Sequence, residues 1–176
     1  MNTFSNQFYN RDPARYRTEC TAVQRLLRSM NPQLIQLKDG RRGFIMTFTI
    51  PDPKGDSLMP DGTHCKRYTA LGAWNADHPY SASHNFGGSV RWYLISPSMS
   101  EMEKEFRQSA GRSCPHLLND VHPRTGSPIH IPCTQKLGKE DNTFTIVEAA
   151  TLLNNWLVAY TAAKYRPAAC RAFCEE

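Results

Sequence analysis

Phe44-Ile45-Met46-Thr47-Phe48-Thr49-Ile50 is the stretch of this 176-residue chain that does most to decide its fold. The side chains at 44, 46, 48 and 50 are all large and apolar, and they alternate with Ile45, Thr47 and Thr49. Because successive side chains of a strand point to opposite faces, this period of two predicts a strand at about 43–50 with one strongly apolar face. Asp39-Gly40, just before it, favours a tight turn from an earlier strand at about 34–38. An antiparallel meander is therefore expected to begin here.

The sequence on either side completes the expected architecture. Period-two patterns predict two further strands, at about 66–74 and 89–95. Apolar residues at helical spacing predict an N-terminal helix at 12–30, capped by Asp12, and a C-terminal helix at 145–165 that opens with the capping box Thr145-Ile146-Val147-Glu148. The expected fold class is therefore α+β, with a four-stranded antiparallel meander between an N-terminal and a C-terminal helix, in one domain spanning residues 1–176.

Three stretches show weaker patterns. Residues 97–112 are polar and predict at best a short helix. Residues 113–138 contain four prolines, three histidines and two cysteines but little periodicity, and we expect a loop-rich segment laid over the core. Residues 168–176 are expected to form a short tail after Pro167. The loop-rich segment is where reactive side chains are concentrated.

Composition narrows the functional class. No run of residues approaches the ~18 apolar residues of a membrane span, and the N-terminus lacks the basic-then-apolar order of a signal peptide, so a cytoplasmic protein without a membrane partner is expected. The net charge of +5 would suit a polyanion, but aromatic side chains are not interleaved with the basic ones, which makes nucleic acid an unlikely partner. Glycine-rich phosphate loops and the G-x-S-x-G elbow are absent, and Pro132-Cys133 does not continue into the zinc-deaminase pattern.

The remaining candidate for chemistry is the stretch from Pro115 to Cys133. His122-Pro123, a glycine-bearing turn, an apolar residue and then Cys133 resemble the His-Pro-Asn…Gly-x-Ile-Cys segment of ubiquitin-conjugating enzymes. The order of elements in that family, with an N-terminal helix, a four-stranded meander, an extended segment carrying the active cysteine and a following helix, matches the order expected here over nearly the whole chain. The pattern resembles the divergent bacterial members, encoded in antiviral-defence or ubiquitin-like conjugation operons, more than the eukaryotic ones, and in that bacterial group a short chain lacks the family's two C-terminal helices.

The resemblance implies a function and a set of roles. Cys133 would accept the C-terminus of a ubiquitin-like modifier, or of a protein such as a nucleotidyltransferase, as a thioester from an activating enzyme and pass it to an amine; ATP would be used by the activating enzyme, and this chain would need no cofactor. Arg124 occupies the position of the family's oxyanion-stabilising asparagine, after His122, and could act by its charge. His130 could lower the pKa of Cys133 or act as a base.

The N-terminal helix carries a cluster of arginines with two interpretations. Most lie off the apolar stripe, so they could form a solvated basic face. In the family this helix docks on the activating enzyme, and the resemblance makes the same basic face a docking surface. The contacts it implies are Arg11, Arg15, Arg25 and Arg28.

Two alternatives to the transferase remain open from the sequence. Two thiolates and two imidazoles are the ligands of a closed tetrahedral zinc site, although the fourteen-residue gap between His116 and His130 is not the short ligand spacing typical of zinc modules. The four candidate ligands are Cys114, His116, His130 and Cys133. The second alternative is a catalytically inactive binding module of the same fold, which the replacement of the family's asparagine by Arg124 keeps open.

Overall fold

A computed structural model describes residues 4–80, 88–134 and 142–175 of the chain. The helices are α1 (Phe8–Arg11), α2 (Pro13–Leu26), α3 (Met99–Ala110), α4 (Ile146–Tyr165) and α5 (Pro167–Glu175), with a 3-10 turn at Arg28–Met30. The strands are β1 (Gln33–Gln36), β2 (Arg42–Pro51), β3 (Ser57–Leu58), β4 (His64–Trp74), β5 (Val90–Ser96), β6 (Leu117–Val121) and β7 (Pro128–Pro132). The fold is α+β, with an antiparallel sheet and helices towards both termini, as the sequence predicts at this level.

The main sheet is antiparallel at each of its described pairings. Its order is β1-β2-β4-β3. β3 and β5 pair with the same edge of β4, β3 with its first residues, His64 and Cys65, and β5 with residues 69–74. β2 and β4 share the longest ladder, from Gly43↔Ala73 to Pro51↔Cys65. The strands β6 and β7 form a separate two-stranded sheet, the hairpin β6–β7.

The two faces of the main sheet are covered by different elements. The alternating side chains of β2 that open the sequence pattern are buried in the larger core cluster, which also contains the apolar sides of α2 and α4. The opposite face carries a smaller cluster, in which Leu71 and Tyr93 of the sheet pack against Ile131 of the hairpin β6–β7. The sheet therefore lies between the helices on one side and the hairpin on the other, and this layering positions Cys133.

The N-terminal helix is shorter than the sequence predicts. It ends at Leu26 rather than at residue 30, because Arg28–Met30 is wound as a 3-10 turn and Asn31 adopts a left-handed conformation. Leu26, predicted on the core stripe, has 57% of its surface exposed, whereas Glu19 is buried instead. The spacing of apolar residues cannot predict that an acidic residue such as Glu19 is buried.

Three segments are more regular than the sequence predicts. The polar stretch before residue 112 forms α3, a 12-residue helix that Ser98 and Glu101 cap reciprocally and whose Met99, Met102 and Phe106 are buried. The expected loop-rich segment contains the hairpin β6–β7, although its end at 135–138 lies outside the described residues. The expected tail is the helix α5, anchored by the buried Phe173. Among the described residues, no helix has the length and apolar character to cross a lipid bilayer.

Candidate active-site hairpin

The tip of the hairpin β6–β7 is built by the His-Pro segment. The N–H of His122 donates to the Ser127 carbonyl at 2.8 Å, and the N–H of Gly126, at φ +73°, donates to the His122 carbonyl at 2.9 Å. The imidazole Nδ1 of His122 accepts the N–H groups of Arg124 and Thr125, each at 3.2 Å. His122 therefore caps the hairpin turn, and its Nδ1 is used there.

The two prolines of β7 are compatible with the strand pairing, and they explain why the sequence pattern does not predict this hairpin. In an antiparallel pair, hydrogen-bonded and non-hydrogen-bonded residue pairs alternate. Backbone bonds join His122 to Ser127 and His116 to Cys133, so the pairs Val121↔Pro128 and Leu117↔Pro132 are the non-bonded ones. Both prolines occupy positions that need no N–H within the hairpin.

The hairpin is held on the main sheet by apolar packing and by polar side chains. Leu118, Ile129 and Ile131 pack on the smaller core cluster. The hydroxyl of Tyr93 donates to Asp120 Oδ2 at 3.2 Å, and His130 Nδ1 lies 2.8 Å from Glu103 Oε1 of α3. These contacts fix the strand that leads directly into Cys133.

Cys133 lies at the base of the hairpin, immediately after β7. Its side chain is half-buried and forms no disulfide. Its N–H donates to the His116 carbonyl at 2.7 Å, which continues the ladder by one more pair. The residue across from Cys133 is therefore His116, within the segment Cys114-Pro115-His116.

The predicted partners His122 and Arg124 are not brought to Cys133. They lie in the turn at the opposite end of the hairpin, six residues along the strand between Ser127 and Cys133. At about 3.4 Å per residue this separation is about 20 Å, too far for either side chain to reach the thiol. Their predicted catalytic roles at Cys133 are corrected accordingly: His122 caps the turn, and Arg124 is exposed at the tip.

His130 is also separated from Cys133. Three residues of extended chain span about 10 Å and place the two side chains on opposite faces of the strand. The imidazole of His130 is 45% exposed and is paired with Glu103. The geometry therefore gives no direct support to His130 as the base for the thiol.

The segment that the structure places beside Cys133 is Cys114-Pro115-His116, not His122-Pro123. The sequence favours His122-Pro123 because a His-Pro pair, a glycine-bearing turn, an apolar residue and Cys133 follow one another there in the order of the motif. The signal that would have found the other segment is the hairpin register: a turn centred near residue 124 pairs Cys133 with His116. His116 has φ +54°, a left-handed conformation that is uncommon for a non-glycine residue.

The four predicted zinc ligands do not converge. The His116 Nε2–H donates to the Phe173 carbonyl at 2.5 Å, and His130 is paired with Glu103. Burial, and then the charges of Glu103 and Cys174, raise the pKa of the Cys114 thiol to about 12, whereas zinc binds the thiolate. Within the described ranges no three His, Cys, Asp or Glu side chains are grouped to hold a metal ion.

The predicted arginine contacts divide into two pairs. Arg11 donates to the His78 carbonyl at 2.5 Å, and Arg15 binds Glu19 at 3.1 Å and the carbonyls of Asn142 and Phe144. These two side chains hold the N-terminal region on the body of the protein. Arg25 and Arg28 are exposed on either side of the exposed Leu26, and we call these three residues the Arg25–Arg28 patch.

A buried polar array lies behind the sheet and was not predicted. His78 contacts Glu19 through Nε2 at 2.7 Å and the Ser89 hydroxyl through Nδ1 at 2.8 Å. This order of carboxylate, imidazole and hydroxyl is that of a hydrolase triad. Because neither His78 nor Ser89 has any exposed surface, a substrate has no access to the hydroxyl, and the array is an anchor between elements.

A cavity of about 760 Å³ lies between the hairpin, the start of α3 and the outer face of the sheet. Most of the surface that lines it is apolar. The lining includes Ile45, Leu71, Tyr93, Met99, Ile129, Glu103, Arg124 and His130. Cys133 is not among the lining residues, so this groove is separate from the thiol.

Comparison of the chain with models of known protein families, with curated protein sequences and with solved structures gave no match. The family can therefore be argued only from the residues and their geometry.

Proposed function

We propose that this chain is a ubiquitin-conjugating-like transferase that carries the C-terminus of a ubiquitin-like modifier, or of another protein, as a thioester on Cys133. The observation that carries the proposal is the place of Cys133 at the base of the hairpin, half-buried and bonded through its N–H to the residue after a proline, His116. That arrangement supports the ubiquitin-conjugating-like fold, with Cys114-Pro115-His116 in place of the His-Pro motif.

The chemistry needs a thiol and two acyl transfers. The Cys133 thiolate attacks the thioester carbonyl on the activating enzyme, so that a new S–C bond forms, the old S–C bond breaks and the activating enzyme's cysteine leaves as a thiolate. An acceptor amine then attacks the Cys133 thioester, loses a proton and releases the Cys133 thiolate. Both steps are redox-neutral, and cysteine suits them because its thiolate is both nucleophile and leaving group.

The activating enzyme is the proposed partner, and the Arg25–Arg28 patch is its proposed docking site. The patch combines an exposed apolar side chain, that of Leu26, with two exposed cations that form no side-chain hydrogen bond or ion pair within the part of the chain that the structure describes. An acidic surface with an apolar pocket is the matching partner chemistry. The proposed setting is the bacterial cytoplasm, in antiviral defence.

Intact-mass measurement tests the proposal. The chain is incubated with the activating enzyme and modifier of its operon and ATP, and we expect an adduct that reductant removes. Cys133→Ala should abolish the adduct, Cys133→Ser should give an adduct that reductant does not remove, and Cys20→Ala, at a half-buried cysteine of α2, should leave it unchanged. An adduct that persists in Cys133→Ala would contradict the proposal.

The cavity beside the hairpin supports a second candidate, the inactive binding module. Its volume of about 760 Å³ and its mostly apolar lining surface, to which several polar side chains also contribute, are typical of a ligand site. Absence of any adduct from the folded wild-type chain, together with binding of a ligand that Leu71→Trp blocks, would favour this function. Stoichiometric zinc in the native mass spectrum would instead favour the metal site.

A further inference from the structure

His116 joins the C-terminal helix to the candidate nucleophile. Its imidazole Nε2 lies 2.5 Å from the carbonyl oxygen of Phe173 in α5, and its own carbonyl accepts the N–H of Cys133 at 2.7 Å. One residue therefore has its side chain fixed by α5 and its backbone fixed to Cys133.

The bond to α5 also selects the tautomer of the neutral ring. A carbonyl oxygen can only accept a hydrogen bond, so the proton lies on Nε2 of His116, and Nδ1 is unprotonated in the neutral ring. The imidazole also packs on the ring of Phe173, with centroids 5.4 Å apart. Phe173 is 7% exposed and contacts Phe106 and Trp156, so its position is set by the core.

The backbone of His116 adds to the dependence on these bonds. At φ +54° a histidine is in a region that glycine and asparagine adopt more easily, and such a conformation persists only where its surroundings hold it. Among the contacts that hold residue 116 are the bond to Phe173 and the last pair of the hairpin ladder. Loss of the first is therefore expected to loosen the second.

We propose that His116 is a positioning residue through which docking of α5 regulates Cys133, an inference that rests on the proposed function for the thioester step. With α5 docked, Cys133 is held at the end of the ladder and aligned for acyl transfer. When the His116–Phe173 bond is lost, the last pair opens, so that small reagents reach the thiol faster while thioester transfer slows.

Alkylation of Cys133 by iodoacetamide, followed by peptide mass spectrometry, tests the link without any partner protein. His116→Gly keeps the left-handed backbone but removes the imidazole, and His116→Asn keeps both that backbone preference and an amide donor. We expect the Gly variant to react about tenfold faster than wild type at Cys133, and the Asn variant to be intermediate. Thioester formation should slow in the same order.

Controls separate this effect from unfolding. His64 also places an imidazole on a backbone carbonyl, that of Gly55 at 3.0 Å, at the far end of β4, so His64→Asn should leave the reactivity of Cys133 unchanged. Cys65 is fully buried and should remain unmodified throughout. A Gly variant that alkylates at the wild-type rate with Cys65 still protected would overturn the proposal.

Hydrogen exchange on the wild-type chain supplies a second test if the Gly variant does not fold. The N–H groups of Cys133 and of Cys170 in α5 both donate to backbone carbonyls. If the Cys133 pair opens only when α5 undocks, the Cys133 amide should exchange no faster than the amides of α5. Rapid exchange at Cys133 with α5 fully protected would contradict it. Neither readout uses the activating enzyme, so failure of the proposed transferase function and failure of this link are distinguishable.

Discussion

Glu19 shows how one residue fixes the position of several elements. Its Oε1 accepts from Arg15 at 3.1 Å and His78 at 2.7 Å, and its Oε2 accepts from the Trp74 indole and the Ile146 N–H, both at 3.0 Å. Burial alone would raise the pKa of this carboxyl, but the bond and charge of His78, followed by the other donors, hold its pKa below the usual range. An ionised carboxylate therefore ties α2, β4 and α4 together.

Glu19→Gln is expected to lower the free energy of unfolding by about 2–4 kcal/mol. The amide offers one acceptor oxygen where the carboxylate offers two, so buried donors lose their partner. Urea denaturation followed by circular dichroism measures the change. Glu175→Gln is the matched control, because that side chain is exposed, and should change stability by less than about 0.5 kcal/mol. Equal stability of the two variants would refute the anchoring role.

At the scale of elements, α4 is positioned by its first turn. The hydroxyl of Thr145 accepts the Glu148 N–H at 3.3 Å, and Glu148 Oε2 accepts the Thr145 N–H at 2.8 Å. Both bonds satisfy backbone groups that a helix start leaves without partners. The sequence predicts the exact residue at which α4 begins, because a capping box is formed by residues that are close together in the sequence.

Thr145→Ala should destabilise the chain by about 1 kcal/mol, because the N–H of Glu148 loses its acceptor. Thermal unfolding of the variant checks this value. Thr18→Ala serves as the control, since Thr18 is exposed within α2 and its hydroxyl only donates to the Ala14 carbonyl. A loss no larger than that of the control would mean that the cap contributes nothing.

The hairpin β6–β7 carries a prediction about distance. Arg124 lies about 20 Å from Cys133 along the hairpin. We therefore expect the Arg124→Gln variant to form the modifier adduct at a rate within about twofold of the wild-type rate. A single-turnover time course of adduct formation measures this rate. A decrease of tenfold or more would show that the tip takes part in the transfer, contrary to the geometry.

The elements that sequence reasoning missed have a common physical cause. β2 and α4 were predicted because their own side chains repeat with the period of a strand or a helix. The hairpin β6–β7 was not predicted, because proline has no N–H to donate and therefore argues against a strand. Pro128 and Pro132 fit the ladder only because the register places both at non-hydrogen-bonded pairs, and the sequence does not reveal that register. The assignment of Arg124 to the site failed for the same reason, since the neighbour of Cys133 depends on that register.

For the molecule as a whole, carboxylates that are paired in the folded chain make stability depend on pH. Asp52 accepts the Tyr165 hydroxyl at 2.8 Å and the Lys164 ammonium at 3.2 Å, and Glu105 accepts Lys164 at 2.9 Å. Burial opposes ionisation of both, but these donors and the lysine charges lower the pKa of each carboxyl, as His78 does for Glu19. All three carboxyls therefore bind protons more weakly in the folded chain than in the unfolded chain.

The free energy of unfolding is expected to be fully maintained above the unfolded carboxyl pKa values of about 4 and to fall as the pH drops through the lower folded values. The sign follows because the unfolded state then binds more protons than the folded state. Urea denaturation between pH 7 and pH 3 measures the curve, and Glu19→Gln should reduce its acid slope. A free energy of unfolding that does not change over this range would contradict the account.

Mapping the site of the adduct is the most direct test of the central claim, that Cys133 is the thioester carrier. The charged wild-type chain is quenched in acid, digested without reductant and analysed by peptide mass spectrometry. We expect the modifier's C-terminal residues on the peptide 125–136, which begins after Arg124, ends at Lys136 and contains Cys133 as its one cysteine. A modifier remnant on a peptide containing Cys20, Cys114 or Cys174 would contradict it.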